Sequence, residues 1–195
     1  MTLTGLGLKF SSIVLQYADS ATRVVMSVLG AVGFEQTASL LHDVKLLLTA
    51  VMTSLIVWIV GLAVPVTASY IICAVIAAPA LMQLGVADYA AHMFIFYYAV
   101  LSEVSPPTAL SPFAAAAITG GDPYKTTLQS WKYTLPAFVV PFVFVLDPLG
   151  AGILLKLPKG GTWMDIVVVT TLSTIALVAL AAAAEGWLLR KTNAL

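Results

Sequence analysis

Residues 46–87 read LLLTAVMTSLIVWIVGLAVPVTASYIICAVIAAPALMQLGVA, and from Leu46 to Ala87 there is no Asp, Glu, Lys or Arg. About 20 apolar residues suffice to cross the hydrocarbon core of a bilayer, so this run carries two helices' worth of membrane sequence. Gly61 and Pro65 interrupt it. Proline lacks an amide hydrogen and its ring clashes with the preceding turn, which predicts a break between Gly61 and Pro65. At membrane depth a break is tolerated only where the freed backbone groups are buried in protein or line a wet cavity. Gly85 is expected to end the second arm. Asp88 is placed to cap the next helix by accepting from its first-turn amides.

The composition of the whole chain points the same way. Of 195 residues, 61% are hydrophobic and 9% charged, whereas a soluble domain carries about a quarter charged residues. The formal net charge is zero and the Lys and Arg residues are scattered, so the clustered basic footprint of a nucleic-acid-binding protein is missing. Cys73 is the only cysteine, which excludes an intramolecular disulfide and a multi-cysteine zinc site. An intramembrane enzyme would need a nucleophile beside a base, or a metal cluster. His42 and His92 are the two histidines, and neither has such company nearby in sequence.

Outward from the central run, Tyr89 to Thr119 is too long for one ordinary span, and Pro106-Pro107 divides it. The residue before a proline is pushed out of the helical region, so Ser105 and Pro106 are expected to be unwound, with a second half-helix starting near Pro107. Gly120-Gly121-Asp122-Pro123 reads as a turn, followed by a polar loop from Tyr124 to Lys132. A further span is expected from about Tyr133 to Leu146, closed by Asp147-Pro148-Leu149-Gly150. A loop follows at Lys156 to Gly161, and Met164 to Leu189 forms a last span ending in Arg190-Lys191. Ser11 to Leu29 contains Gln16, Asp19 and Arg23 and suits an amphipathic segment at the interface. The segments are therefore 1–45 interfacial or connecting, 46–149 a unit of hairpin, broken helix and following span, and 150–195 a C-terminal loop and transmembrane helix. The N-terminal residues lack the pattern of a signal peptide, and the chain reads as part of a larger protein.

Two polar, helix-breaking stations concentrate the chemistry: Gly61 to Tyr70, and Ser102-Glu103-Val104-Ser105-Pro106-Pro107-Thr108. Discontinuous helices in secondary transporters present half-helix ends and unwound carbonyls near the midplane. A half-helix C-terminus offers carbonyls to a cation such as Na⁺, and an N-terminus offers amides to a carboxylate. Thr67, Ser69, Ser105 and Thr108 add hydroxyls. The plainer reading is two structural proline kinks.

The run Gly61-Leu62-Ala63-Val64-Pro65-Val66-Thr67-Ala68-Ser69-Tyr70 resembles the Gly-Met-Gly-Leu-Pro-Thr-Thr-Ala-Ala-Tyr signature of the large permease of tripartite ATP-independent periplasmic (TRAP) transporters. Thr4 to Phe10, Pro79, Gly85, Ala91 to Tyr98, Ser105-Pro106-Pro107, Asp122-Pro123 and Pro141-Phe142 follow in that family's order, particularly that of its fused permeases. The resemblance covers about residues 1–150 and is to the C-terminal half. It implies the second inverted repeat of an elevator-type transporter, all-α and membrane-embedded, with a re-entrant helical hairpin tipped by Gly61 to Ser69 and a broken transmembrane helix at Ser105 to Thr108.

By that likeness, Gly61, Ala63, Pro65, Thr67, Ser69, Ser105, Pro106, Pro107 and Thr108 contribute to substrate and ion binding, with Na⁺ held by backbone near Gly61 and Ser105. Four departures stand out: Ala63 replaces the family's second glycine, Val66 its first threonine, Ser105 the threonine before the proline pair, and Thr108 a valine. Glu103 stands where the family has a small or apolar residue. A carboxylate inside a membrane is costly, and Glu103 is read either as a proton or cation site or as a residue paired at the scaffold boundary. His92 lies about 16 Å from it along a helix at 1.5 Å per residue, too far to pair. Asp88 and His92, at i and i+4, can touch.

The function implied is the import of a small organic acid, such as a C4-dicarboxylate, by Na⁺-coupled symport across the bacterial or archaeal cytoplasmic (inner) membrane. No cofactor is implied beyond Na⁺ as coupling ion. The partners implied are the upstream half of the permease, a small membrane subunit or fused equivalent, a periplasmic substrate-binding protein and membrane lipid, with no nucleic acid. A truncated, nonfunctional remnant is the other reading. Lys125, Lys132, Arg190 and Lys191 against Lys45, Lys156 and Lys159 barely favour a cytoplasmic C-terminus.

Overall fold

The structure, a computed structural model, describes residues 5–157, 161–188 and 190–191. Thr4, Lys159 and Leu189, which figure in the expectations above, lie outside the described residues. So do most of the loop after Leu157 and the side chains of Arg190 and Lys191. Eight α-helices make up the described chain: α1 Leu6–Ala31, α2 Ala38–Gly61, α3 Val66–Gln83, α4 Asp88–Leu101, α5 Leu110–Thr119, α6 Pro123–Thr134, α7 Val140–Leu146 and α8 Trp163–Glu185. A two-residue antiparallel ribbon, Trp187–Leu188 against Arg190–Lys191, follows α8. Helices α2, α3 and α8 are long and apolar enough to cross a membrane.

The predicted break is present. Helix α2 ends at Gly61 and α3 begins at Val66, and the two pack side by side as a helical hairpin. Helix α2 starts at Ala38, ahead of the charge-free run, because the Thr37 hydroxyl accepts from the Leu40 amide at 3.2 Å. Gly85, at φ 89°, turns the chain out of α3. Asp88 does not cap α4: Ala87 holds the cap position without a side-chain bond, and Asp88 is the first helical residue. Its carboxylate instead lies 3.4 Å from His92 Nε2.

Helices α2, α3, α4 and α7 enclose the core around Leu46, Val57, Leu81, Phe94, Ile95 and Phe144. Phe94 meets the Phe142 ring edge-on at 5.4 Å, and the Tyr98 hydroxyl donates to the Phe138 carbonyl at 2.6 Å. Helix α1 lies along the hairpin. Ser11, Val14, Ala18, Thr22 and Met26 form its buried stripe at helical spacing. Pro79 has no amide to give the Val75 carbonyl four residues back, and Gly7 of α1 packs there; a Cβ at Gly7 would stand 2.7 Å from that oxygen. One turn on, Ser11 Oγ donates to the Ile76 carbonyl at 2.6 Å. The Lys45–Asp19 ion pair at 2.7 Å joins α1 to α2.

Two expectations fail after the broken helix. Tyr124 to Lys132 is not a polar loop but the body of α6. Asp122 accepts from the Lys125 amide at 2.8 Å with Pro123 in the first turn, and Thr126 and Thr127 donate to their own helix's carbonyls. Tyr133 to Leu146 is not one span. A 3₁₀ turn at Leu135–Phe138 separates α6 from the short α7, because Pro136 and Pro141 each remove a helical donor. A second 3₁₀ segment, Leu149–Leu154, turns back so closely that a Cβ on Gly150 would overlap the Val143 carbonyl. Helix α8 starts at Trp163 with a reciprocal cap between Thr162 and Asp165, and stops at Gly186 in the left-handed region. It touches the rest through the Lys132–Glu185 ion pair at 3.4 Å, the 3₁₀ segments and the flanks of α6 and α7.

Candidate functional site

The first station is a turn of Leu62, Ala63 and Val64 between two half-helix ends. At the end of α2, Leu62 N donates to Trp58 and Ile59 O, and Ala63 N to Val60 O, at 3.0 to 3.2 Å. The Gly61 carbonyl would take its helical bond from residue 65, but that residue is proline and has no N–H. It is therefore free of the ladder. At the start of α3, Ser69 N reaches Pro65 O at 2.9 Å, while the amides of Val66, Thr67 and Ala68 find no backbone acceptor among the described residues. A carbonyl end and an amide end thus face the same tip, with opposite partial charges.

The second station is a graded unwinding. Helix α4 passes into a 3₁₀ turn, Ser102–Val104, and Ser105 is extended at φ −98°, ψ 138°. Residues 106–109 form a turn that contains a cis Pro106–Pro107 peptide and is closed by Ala109 N to Ser105 O at 3.0 Å. The second half-helix therefore starts at Leu110, not near Pro107. The tightening redirects the Ser105 amide to the Ser102 carbonyl at 3.1 Å. The Leu101 carbonyl, which that amide would have served, takes the Ser105 hydroxyl instead at 2.7 Å, and Ser102 Oγ donates to Ala99 O at 2.7 Å. Both hydroxyls are fully buried and spend their protons on their own chain. Their lone pairs are what remains for a cation.

The two stations meet through Gly61. A Cβ there would run into the Ser102 side chain and stand 3.3 Å from Ser69 Oγ. Ser69 is fully buried, and among the described residues its hydroxyl has no hydrogen-bond partner; Thr53 Oγ1 and Trp58 Nε1 are likewise buried and unpaired there. A buried polar atom without a partner is uncommon; Trp58 and Ser69 belong to the helical turns that flank the tip, and Thr53 lies about 12 Å back along α2. Of the predicted site residues, Gly61, Ser69 and Ser105 lie in this packed region. Ala63, Pro65, Thr67 and Pro107 are exposed, and Pro106 and Thr108 are half-buried. Glu103 is half-buried on the 3₁₀ turn and has no ion-pair partner among the described residues.

Ser102, which stands in the second polar station of the sequence but was not among the residues selected from it, is the one that meets Gly61. Its signal is the i, i+3 spacing from Ser105, which puts both hydroxyls on the same side of the tightening turn. A cavity of about 850 Å³ between His42, Leu84, Tyr89, Phe144 and Asp147 lies elsewhere. Leu46 on its wall is fifteen residues before Gly61 on α2, about 22 Å at 1.5 Å per residue. Among the described residues no group of three His, Cys, Asp or Glu side chains is arranged to hold a metal ion.

Residues 1–149 match the family model described as "Tripartite ATP-independent periplasmic transporter, DctM component". No match is found among curated proteins or solved structures.

Proposed function

The chain belongs to the DctM family of tripartite ATP-independent periplasmic transporters, and from that premise we propose that it supplies one repeat of the permease of a secondary active importer. The cargo is a small organic acid such as a C4-dicarboxylate, and Na⁺ is the coupling ion. The membrane is the cytoplasmic membrane of a bacterium or archaeon. The observation that carries the reading is the meeting of two helix interruptions at Gly61, where a carbonyl free of the helical ladder lies beside the buried Ser102 and Ser69 side chains. Such a set favours small ions and carboxylates over covalent chemistry.

In this proposal the fold is the second inverted repeat of an elevator-type carrier. The upstream half of the permease completes the site, with a small membrane subunit or fused equivalent and a periplasmic substrate-binding protein as further partners. Purified residues 1–195 in liposomes should then give no Na⁺-driven uptake, and co-expression with the upstream half should restore it. Accumulation by the chain alone would overturn the shared site; no uptake from either preparation, with both chains folded, would overturn the transport reading.

The hairpin is proposed to be re-entrant, with both arms entering from one side. Single cysteines introduced at positions 61–68 should react with small water-soluble thiol reagents at rates intermediate between buried and bulk-exposed positions, since the tip faces an aqueous cavity. Labelling as fast as at a long exposed loop would count against it.

A further inference from the structure

A second set of polar contacts joins the hairpin to α4, away from the Gly61 meeting point. The Tyr70 hydroxyl lies 3.1 Å from His92 Nδ1, and His92 Nε2 lies 3.4 Å from Asp88 Oδ1. Tyr70 sits in the first turns of α3, just past the tip, whereas His92 and Asp88 belong to the opening turns of α4. The Tyr70 ring also stands edge-on to the rings of His92 and Phe96, at 6.1 and 5.8 Å. A tyrosine between two aromatic neighbours with its hydroxyl on an imidazole is held in one orientation.

The two contacts differ in kind. Tyr70 and His92 share a hydrogen bond whose donor depends on which imidazole nitrogen carries the proton, whereas the Asp88 carboxylate stands 3.4 Å from Nε2 beside the ring. Removing the Tyr70 hydroxyl or the imidazole removes the hydrogen bond that joins α3 to α4 in this set.

We propose that Asp88, His92 and Tyr70 form a lock that fixes the trailing arm of the hairpin to the leading half of the broken helix, so that the two shift as one body. These are positioning residues. None of them is among the groups assigned to ion or substrate binding. The lock as a structural device stands on the contacts alone; its part in transport rests on the transport reading. By holding α3 to α4, it fixes the distance between the amide end of the tip and the Ser102–Ser105 turn. The hairpin can then open only by lifting the Leu62–Val64 turn and α2 away, or by breaking the Tyr70–His92 bond.

The chain contains its own reporter. Cys73, its only cysteine, lies on α3 one turn beyond Tyr70 and is fully buried in the hairpin core. The rate at which a small maleimide labels it in native membranes reports how often that arm separates. Tyr70→Phe keeps the ring and removes the donor, and should raise the rate about three- to tenfold, the range for one lost hydrogen bond. His92→Leu should do the same, and Tyr70→Phe with His92→Leu should be no faster than either alone. His92→Asn puts an amide oxygen near the position of Nδ1 and should stay near the wild-type rate, an outcome a mere loss of packing would not give. Unchanged labelling in Tyr70→Phe, or additive single effects, would overturn the lock. Uptake by the complete permease separates the two questions: slowed uptake with unchanged half-saturation in Tyr70→Phe supports the coupled movement. Altered labelling with wild-type uptake would leave a structural lock and remove its role in transport.

Discussion

Gly61→Ala should reduce transport by the complete permease roughly tenfold or more, and the loss should be repaired by a change at Ser102 and not by general stabilisation. The added Cβ would collide with the Ser102 side chain, whose own Cβ would lie 2.7 Å from it. Forcing a methyl group into packed structure costs about 1–3 kcal/mol, and here the cost falls on the docking of the tip against the unwound turn. Ser102→Ala removes the hydroxyl and leaves the Cβ, so Gly61→Ala with Ser102→Ala should remain defective. Ser102→Gly removes both atoms and should recover a large part of the activity. Uptake assays on the wild type and these three variants, normalised to protein in the membrane, decide the matter. Equal rescue by Ser102→Ala and Ser102→Gly would mean that the contact is not the cause.

The second large effect is expected from the proline pair. Pro106→Ala with Pro107→Ala restores two amide hydrogens to a segment that now has none at those positions, and allows α4 to continue towards α5. The carbonyls released by the present unwinding would return to a helical ladder, and the proposed Na⁺ site would lose its backbone ligands. Half-maximal Na⁺ for uptake should rise about tenfold, equivalent to ~1.4 kcal/mol of ion binding. Ser105→Ala should give a smaller rise, because its hydroxyl is bonded to Leu101 O and offers only lone pairs to an ion. Glu103→Gln separates a proton site from an Na⁺ site: as a proton site, Glu103 would have its loss change the pH dependence of uptake and leave the Na⁺ dependence nearly intact. Unchanged expression and Na⁺ dependence in the double proline variant would reduce the break to a structural kink.

The hairpin was legible in the sequence because its cause is local. Pro65 removes a donor wherever it stands, and the charge-free run around it has one environment in which to fold. The same logic located the unwinding at Ser105 but misplaced the restart of the helix, since the turn through Ala109 at φ 38° depends on how residues 105–109 close on themselves. Helix α6 was misread because threonines and serines signal loops when their hydroxyls compete with the backbone. In α6 those hydroxyls bond back to Asp122, Pro123 and Ser130 of the same helical run, and the Asp122 cap precedes them. The contact of Gly61 with Ser102 and the bond of Tyr70 to His92 belong to another class. They join residues far apart in the chain, and nothing in their local sequence says which helices will be neighbours.

Helix α8 has the length and apolar composition of a membrane span, yet only 11% of its most apolar window is covered by the rest of the chain. Leu172, Ile175 and Val178 are all more than 45% exposed, so apolar side chains point outward around the helix. In a bilayer its free energy would come mainly from leaving water, since this chain covers so little of it. For biogenesis this means that α8 can enter the bilayer from the translocon as an independent unit, before or after the hairpin has assembled. Its later attachment rests on one cross-helix ion pair and a few close-packed turns.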